Sequence, residues 1–406
     1  ESIFLMDYWV KMRFLESQVN EPSLKSKFSL PMLSFWEQKN FLHYDLIVVG
    51  AGFTGLSAAI HFKKKHKKAK VLVVDRGVFP SGASTKNAGF ACFGSLTEIL
   101  DDFWTMTPDE VLHLVEKRYS GLKQIRKQFG DQALRYQHRN GYELIGTEQL
   151  EALEQLSDIN HLLRKLFSKE VFSLVKDPHK FGFSETVKAV VKNRFEGELD
   201  PGAYLNALWT KASSLGVRIL TGLSVVEVDH EEGRVLAEKR DKKEAFEFFG
   251  ERIAICTNAF TQKLWPSSPL EPGRGLILLS KPIAGGIPWK GAFHMDRGYV
   301  YFREVEGRLL LGGARNKDFE KEKTTDFEVN PVIKEHLNRL AQEVIFPGRP
   351  VEWEMEWTGI MAFGAKKSPI IQKIGKKTAV AVRMGGMGVA IGWQVGKEVS
   401  ELLSDL

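Results

Sequence analysis

The sequence predicts an α/β fold in which one strand-and-helix unit is divided into pieces by inserted material. Three observations point to it. The stretch "YDLIVVGAGFTGLSAAIHF" (44–62) is a short apolar strand that breaks into spaced glycines and resumes as a helix. The next apolar run, "VLVVD" (71–75), is a second strand ending in a carboxylate. Some 300 residues later the chain closes with "KKTAVAVRMGGMGVAIGWQVGKEVSELL", a strand, a glycine turn and an amphipathic helix.

The 406 residues are 43% apolar and 27% charged, the balance of a folded globular chain. That length exceeds what one compact core usually serves, so two interwoven domains are expected. Lys and Arg total 57 against 51 Asp and Glu, an excess too small and too spread to indicate nucleic acid as a partner. The densest basic run, "KKKHKKAK" from Lys63 to Lys70, falls where the first helix ends. Lysines there complement the negative end of the helix dipole. Cys92 and Cys256 are the two cysteines, far apart and in no metal-ligand spacing. No metal is expected, and the thiols fit a reducing cytoplasm. No apolar run is long enough to span a bilayer. The opening "ESIFLMDYWVKMRF" lacks the pattern of a signal peptide, so the expected location is cytoplasmic.

In order along the chain, residues 1–40 read as an arm carrying Pro22, Pro31 and the aromatic stretches "DYW" and "SFW". Residues 99–170 read as strongly helical, as in "TPDEVLHLVEKRYSGLKQIRKQF". "ELDPGAYLNALWTKASSLGVRILTG" is a helix followed by a strand, with Pro201 at the helix start and Gly216 at its end. "SVVEVDHEEGRVLAEKRDKKEAFEFFGERIAICTNAF" alternates and turns repeatedly, a β-meander ending in the buried strand "RIAIC". Short strands and one helix, "NPVIKEHLNRLAQEV", fill 270–350.

Gly50, Gly52 and Gly55 form G-x-G-x-x-G between a strand and a helix, the turn that holds a dinucleotide. The first glycine permits the tight turn, the second lets backbone approach a pyrophosphate, and the third allows close helix–strand packing. The helix N-terminus faces the negative charge. Asp75 stands 25 residues beyond Gly50, where a carboxylate takes ribose hydroxyls. Arg76 leaves a 2′-phosphate open as an alternative. NAD and FAD both use this turn. "SGASTKNAGF" (81–90) offers Ser84, Thr85 and Asn87 to the pyrophosphate and ring, or is a plain polar loop. In "RMGGMGVAIGW", Gly385, Gly386 and Gly388 open the last helix, whose free N–H groups point at what precedes it. A flavin gains negative charge on its pyrimidine side when reduced and needs such a helix end, whereas nicotinamide does not. Two helix N-termini therefore favour FAD.

"DLIVVGAGFTGLSAA", "GASTKNAGF", "ELDPGAYLNAL", "ICTNAF" and "GGMGVAIGWQVGKEVSELL" resemble, in this order, the FAD-dependent amino-acid and amine oxidoreductases. These include the D-amino-acid oxidase, glycine oxidase, sarcosine oxidase and γ-glutamylputrescine oxidoreductase types, and the resemblance spans about residues 40–406. It implies a Rossmann-like FAD-binding domain in several segments (41–98, 186–262 and 352–406). It further implies an inserted antiparallel-sheet substrate domain (99–185 and 263–351), with 1–40 as an N-terminal arm. By this resemblance Gly50, Gly52, Gly55, Asp75 and Arg76 hold the ADP half, and Val225 or Val226 lies beside the adenine. Ser84, Thr85, Asn87 and Ala88 line the pyrophosphate and flavin, as do Thr257 and Asn258 of "CTNAF". Gly385, Gly386, Met387 and Gly388 run along the ring. Asp75 replaces the family's more usual Glu and keeps the carboxylate. Some members attach flavin to a late cysteine; none follows Cys256, so non-covalent FAD is expected.

The substrate side is less legible. In "GYVYFRE", period-two alternation puts Tyr299, Tyr301 and Arg303 on one strand face, either a carboxylate clamp or a solvent face. Arg315, after "RLLLGGA", is a second candidate. The arginine that glycine- and D-amino-acid-oxidase-like members use for the substrate carboxylate corresponds to the neighbourhood of Met361 here, and another of glycine oxidase to Gly386. Met361, Met384 and Met387 then form an apolar wall or core filler. His294 reads as structural, the cysteines as core residues, and no catalytic residue is assigned. The leading expectation is oxidation of the C–N bond of an amine or amino acid by hydride transfer to flavin, followed by imine hydrolysis. Oxidation of a hydroxy acid or polyol phosphate, and a non-catalytic flavoprotein, stay open. The electron acceptor and oligomeric state are not assigned.

Overall fold

The computed structural model describes residues 31–239, 241 and 244–405. Pro22 and "DYW" of the arm lie outside them. "SFW" sits at the start of an exposed helix, Phe35–Phe41, which Ser34 and Glu37 close with a reciprocal capping box.

Strand β1 (Leu46–Val49) is buried at all four positions and leads through the glycine turn into helix α1 (Phe53–Lys65) and strand β2 (Val71–Asp75). A strand covered on both faces reads as a continuous apolar run, and "LIVV" and "VLVV" do. The sheet they join has six strands in the order Ile370–Lys373, Thr378–Val382, Ile253–Ile255, β1, β2, Arg218–Thr221. All pairings are parallel except that of the first-named edge strand. Its members come from widely separated stretches of chain, so this half is assembled from pieces, as predicted. The meander appears as three antiparallel strands (Leu223–Val228, Arg234–Lys239, Ala245–Gly250), with His43–Tyr44 joined to the last.

The second half is an eight-stranded sheet. Four of its strands are β3 (Glu271–Ser280), β4 (Val300–Val305), β5 (Arg308–Gly313) and β6 (Trp353–Phe363), in the spatial order β6-β3-β5-β4. The row continues through Ala292–Met295, Gly141–Ile145, Ala189–Asn193 and Phe172–Leu174. Two expectations are corrected by this sheet. Gly141–Ile145 is a strand inside the stretch read as helical, because five residues are too few to carry a period that separates strand from helix. Strands Ala189–Asn193 and β6 pair here, although the segments 186–262 and 352–406 were assigned to the other half. The chain thus crosses between halves later than the expected bounds at 186 and 352.

Two long helices complete the site's support: α2 (Pro108–Phe129) and the terminal α3 (Gly388–Ser404). Helix α3 packs on α1 through glycines. A Cβ on Gly392 would meet the Phe53 Cβ at 3.1 Å. Gly121 of α2 touches α3 in turn, where a Cβ would lie 1.9 Å from the Ala390 carbonyl oxygen. The backbones approach so closely that α1 and α3 bring their N-termini to the same place.

Candidate active site

One elongated cavity of about 450 Å³, within the usual range for ligand sites, runs from the carboxyl ends of β1 and β2 to the eight-stranded sheet. Ligands of open α/β sheets bind at those strand ends. Gly52, Phe53 and Thr54 of α1 line it, as do Met387, Gly388, Val389 and Ala390 of α3. Gly52 and Met387 are the N-caps, neither gives a side-chain capping bond, and neither first turn holds an acidic residue. Both helices therefore offer unneutralised N-terminal dipole to the cavity. This fits a cofactor with a pyrophosphate and a ring that gains negative charge.

Asp75 closes the end of the cavity at the glycine turn. Its two carboxylate oxygens accept from the Ala51 amide (2.8 Å) and the Gly77 amide (2.9 Å), which ties the glycine turn to the end of β2. Each oxygen keeps a further lone pair, and the group lines the cavity. Gly50 has φ +103° and a Cβ there would press on the Cys256 carbonyl oxygen at 2.9 Å, so only glycine turns here. Gly55 lies behind the lining, packed 1.9 Å from the Gly50 oxygen when given a Cβ. Arg76 stacks on the Phe260 ring at 3.6 Å, and burial lowers its pKa. Val225 lines the cavity. Val226 does not: it is the extra residue where the register slips between Val225 and Glu227, and the bulge turns it away.

In the 81–90 loop, Ser84 lies over the turn and accepts from the Phe53 amide at 3.0 Å. Thr85 is not at the cavity. Its hydroxyl donates to the Pro80 and Gly82 carbonyls and closes the loop on itself. Asn87 lines the cavity, but its amide is engaged with the Ala83 and Ser84 carbonyls and the Gly89 amide. It shapes the loop. Ala88 packs on Ile277 and Leu310 beneath it. Thr257 and Asn258 line the opposite wall, with Asn258 accepting from the Arg383 amide at 3.1 Å. Gly385 and Gly386 have φ +55° and +81° and carry the chain into α3.

Tyr299, Tyr301, Arg315 and Met361 come together on the floor formed by the eight-stranded sheet. Gly275 makes room there: a Cβ would be 3.0 Å from the Met361 methyl and 3.7 Å from the Tyr301 hydroxyl. Burial pushes the Tyr301 phenol up to about 12, so it stays a neutral donor. The Arg315 guanidinium lies over Phe363 at 3.8 Å, with the Phe319 and Tyr299 rings at 4.9 and 5.6 Å. Among the described residues it has no ion pair or side-chain hydrogen bond. Burial depresses its pKa, partly offset by Tyr299 and more distant carboxylates.

Arg303 does not join this group. It shares the Tyr301 face of β4, but farther along, where the Gly89 loop covers it. Its guanidinium donates to the Gly89 and Leu199 carbonyls at 3.4 and 3.1 Å and stands 3.8 Å from Glu198. The clamp expected of Tyr299, Tyr301 and Arg303 is therefore corrected: a loop supplies the partners that alternation alone left open.

Two groups at or behind the lining escaped the sequence reading, which named His294 itself only as structural. Arg383 stands at the entrance to the C-terminal glycine turn, donates through Nε to the Ser368 carbonyl at 2.7 Å, and has its pKa lowered by burial. The first residue of "RMGGMG" was its only signal. The other group surrounds His294, which faces Glu196 at 3.3 Å and Glu98 at 3.6 Å. Burial pulls its pKa down, but the Glu196, Glu98 and Glu143 carboxylates outweigh that and hold it at about 9. These residues are far apart in the chain, so no spacing announces them. Cys92 and Cys256 are both buried at the cavity, and burial raises both thiols, that of Cys256 to about 12.

No helix among the described residues is long and apolar enough to cross a membrane. The Haemophilus influenzae protein named "Probable oxidoreductase OrdL" is 24% identical over 379 residues, which is 89% of this chain and 83% of that one. The "Sarcosine oxidase subunit beta" of Rhodobacter capsulatus is 22% identical over 382 residues, 87% of this chain and 81% of its own. The solved glycine oxidase of Geobacillus kaustophilus superimposes with a TM-score of 0.70 at 19% identity, covering 90% of this chain and 95% of its own. The family model described as DAO, FAD dependent oxidoreductase, matches residues 45–402. With two helix N-termini meeting at one cavity and a family match over nearly the whole fold, this chain belongs to the FAD dependent oxidoreductase family and is an FAD-dependent enzyme.

Proposed function

We propose that the enzyme oxidises the C–N bond of an amino acid, or of an amine that carries a carboxylate. The observation that carries this reading is Arg315, a cavity-lining guanidinium boxed by three aromatic rings and without a carboxylate partner among the described residues. A half-buried cation lining a cavity without a counter-ion favours an anionic ligand. Its planar fork suits a carboxylate bound at two points.

FAD, when bound, supplies the two-electron acceptor for the hydride. The chain's own residues position the substrate and exclude water. Arg315 binds the carboxylate, and the neutral Tyr301 hydroxyl donates a further hydrogen bond from the floor. Met361 provides an apolar wall that keeps the reacting carbon dry. The glycine turn and Asp75 hold the ADP half, while the N-terminus of α3 faces the ring. The imine released is hydrolysed in water.

The test is an anaerobic visible spectrum of the holoenzyme before and after adding D- and L-amino acids, N-methyl amino acids and polyamines. Bleaching by carboxylate-bearing amines supports the reading. Bleaching only by hydroxy acids or polyol phosphates replaces it with C–O oxidation, and bleaching only by polyamines removes the role given to Arg315.

A further inference from the structure

Three residues from distant parts of the chain converge at the edge of the cavity and have no part in the reading above. Cys92, Glu196 and His294 are all buried, and their potential ligand atoms all lie within 4.8 Å of one another. Glu196 Oε2 and His294 Nε2 face each other as an ion pair at 3.3 Å, without well-aligned hydrogen-bond geometry and with no other partner for either atom. A buried pair this loosely aligned is costly unless a further group is shared between its atoms.

We propose that Cys92, Glu196 and His294 form a binding site for a divalent cation of the zinc class, with a fourth position open toward the cavity. The donor set is the argument for the class. Thiolate, imidazole and carboxylate together suit zinc, whereas magnesium and calcium take oxygen ligands. Ligands bonded at about 2.0–2.3 Å to a tetrahedral ion stand roughly 3.3–3.7 Å apart. The Glu196–His294 separation is already there.

The surroundings hold the ligands in place. Glu196 Oε1 accepts from the Phe93 and Gly94 amides at 3.0 and 3.3 Å, which fixes the carboxylate with Oε2 turned inward. Glu98 stands 3.6 Å from His294 Nδ1, the outer carboxylate that metal-binding histidines commonly have. Thiolate and carboxylate together neutralise a dication. The nearby Arg118 has Nη1 engaged with the Phe93 carbonyl. Cys92 and His294 both line the cavity, which provides the way in. The competing occupant is a proton on His294, making a plain ion pair with Glu196.

The experiment is metal analysis of the purified holoenzyme, followed by titration of metal-stripped holoenzyme with Co²⁺. The expected result is one ion per chain, tetrahedral cobalt bands to the red of flavin absorption, and a thiolate-to-cobalt charge-transfer band. The chain has two cysteines, so Cys256→Ser keeping that band assigns it to Cys92 without requiring Cys92→Ser to fold. Glu196→Gln is expected to weaken cobalt binding by at least about tenfold while flavin absorbance is retained. A holoenzyme that binds no cobalt overturns the site and leaves the ion pair. So does a charge-transfer band lost in Cys256→Ser, or one whose affinity Glu196→Gln leaves unchanged.

Discussion

Gly396 of α3 lies so close to Ser57 of α1 that a Cβ on it would stand 2.5 Å from the Ser57 Cβ and 2.6 Å from the Thr54 carbonyl oxygen. No flexible side chain is available to yield there, because the second contact is backbone. This approach sets the two helix N-termini on one cavity.

Gly396→Val is therefore expected to destabilise the fold by about 1–3 kcal/mol and to loosen FAD. Thermal unfolding and the amount of flavin lost on desalting measure the two effects. A variant as stable as the parent would mean that the helices can separate without cost.

Asp75 ties the glycine turn to β2 through the Ala51 and Gly77 amides. Asp75→Asn leaves one of those donors facing an amide NH₂ and removes the charge. A hydrogen bond to a charged group contributes about 1.5–3 kcal/mol, so FAD affinity should fall roughly 10- to 100-fold. Titration of the stripped protein with FAD gives the value.

Substitution of Arg315 by Met separates substrate binding from cofactor binding. On the proposed function, kcat/KM for a carboxylate-bearing substrate should fall by about 10- to 100-fold, with the flavin spectrum unchanged. Equal losses for substrates with and without a carboxylate would contradict the assignment. Arg303→Met should instead lower stability and leave the ratio between those substrates as it was, since its partners are the Gly89 and Leu199 carbonyls.

His61 provides a pH dependence. It packs against Trp393 of α3 at 4.3 Å, and burial, with Lys64 and Lys397 adding to it, lowers its pKa from 6.5 to about 4. The folded state keeps it neutral, while the unfolded chain takes a proton at about 6.5. Its contribution is complete above that value and is lost as pH falls toward 4. Denaturant unfolding at pH 7.5 and pH 5 should differ by roughly 1–2 kcal/mol more in the parent than in His61→Gln.

Much of the cofactor half was legible in the chain itself, because its signals are local. "DLIVV", three glycines and the carboxylate of Asp75 lie within one β–α–β unit, and "RMGGMG" lies at the start of one helix. A turn, a cap and a buried parallel strand each need particular residues at fixed short spacing, so they can be read in a line. Alternation along "GYVYFRE" likewise put Tyr301 and Arg303 on one face. Which of them reaches the cavity depended on the Gly89 loop crossing over β4, from more than 200 residues away. The same holds for Val226, turned aside by a bulge, and for the strands at 189 and 353, which pair within the eight-stranded sheet. Cys92, Glu196 and His294 had no common spacing at all. Short-range chemistry was determined by sequence. Convergence was decided by packing, because a contact between distant segments depends on which faces cover one another, and no single segment carries that information.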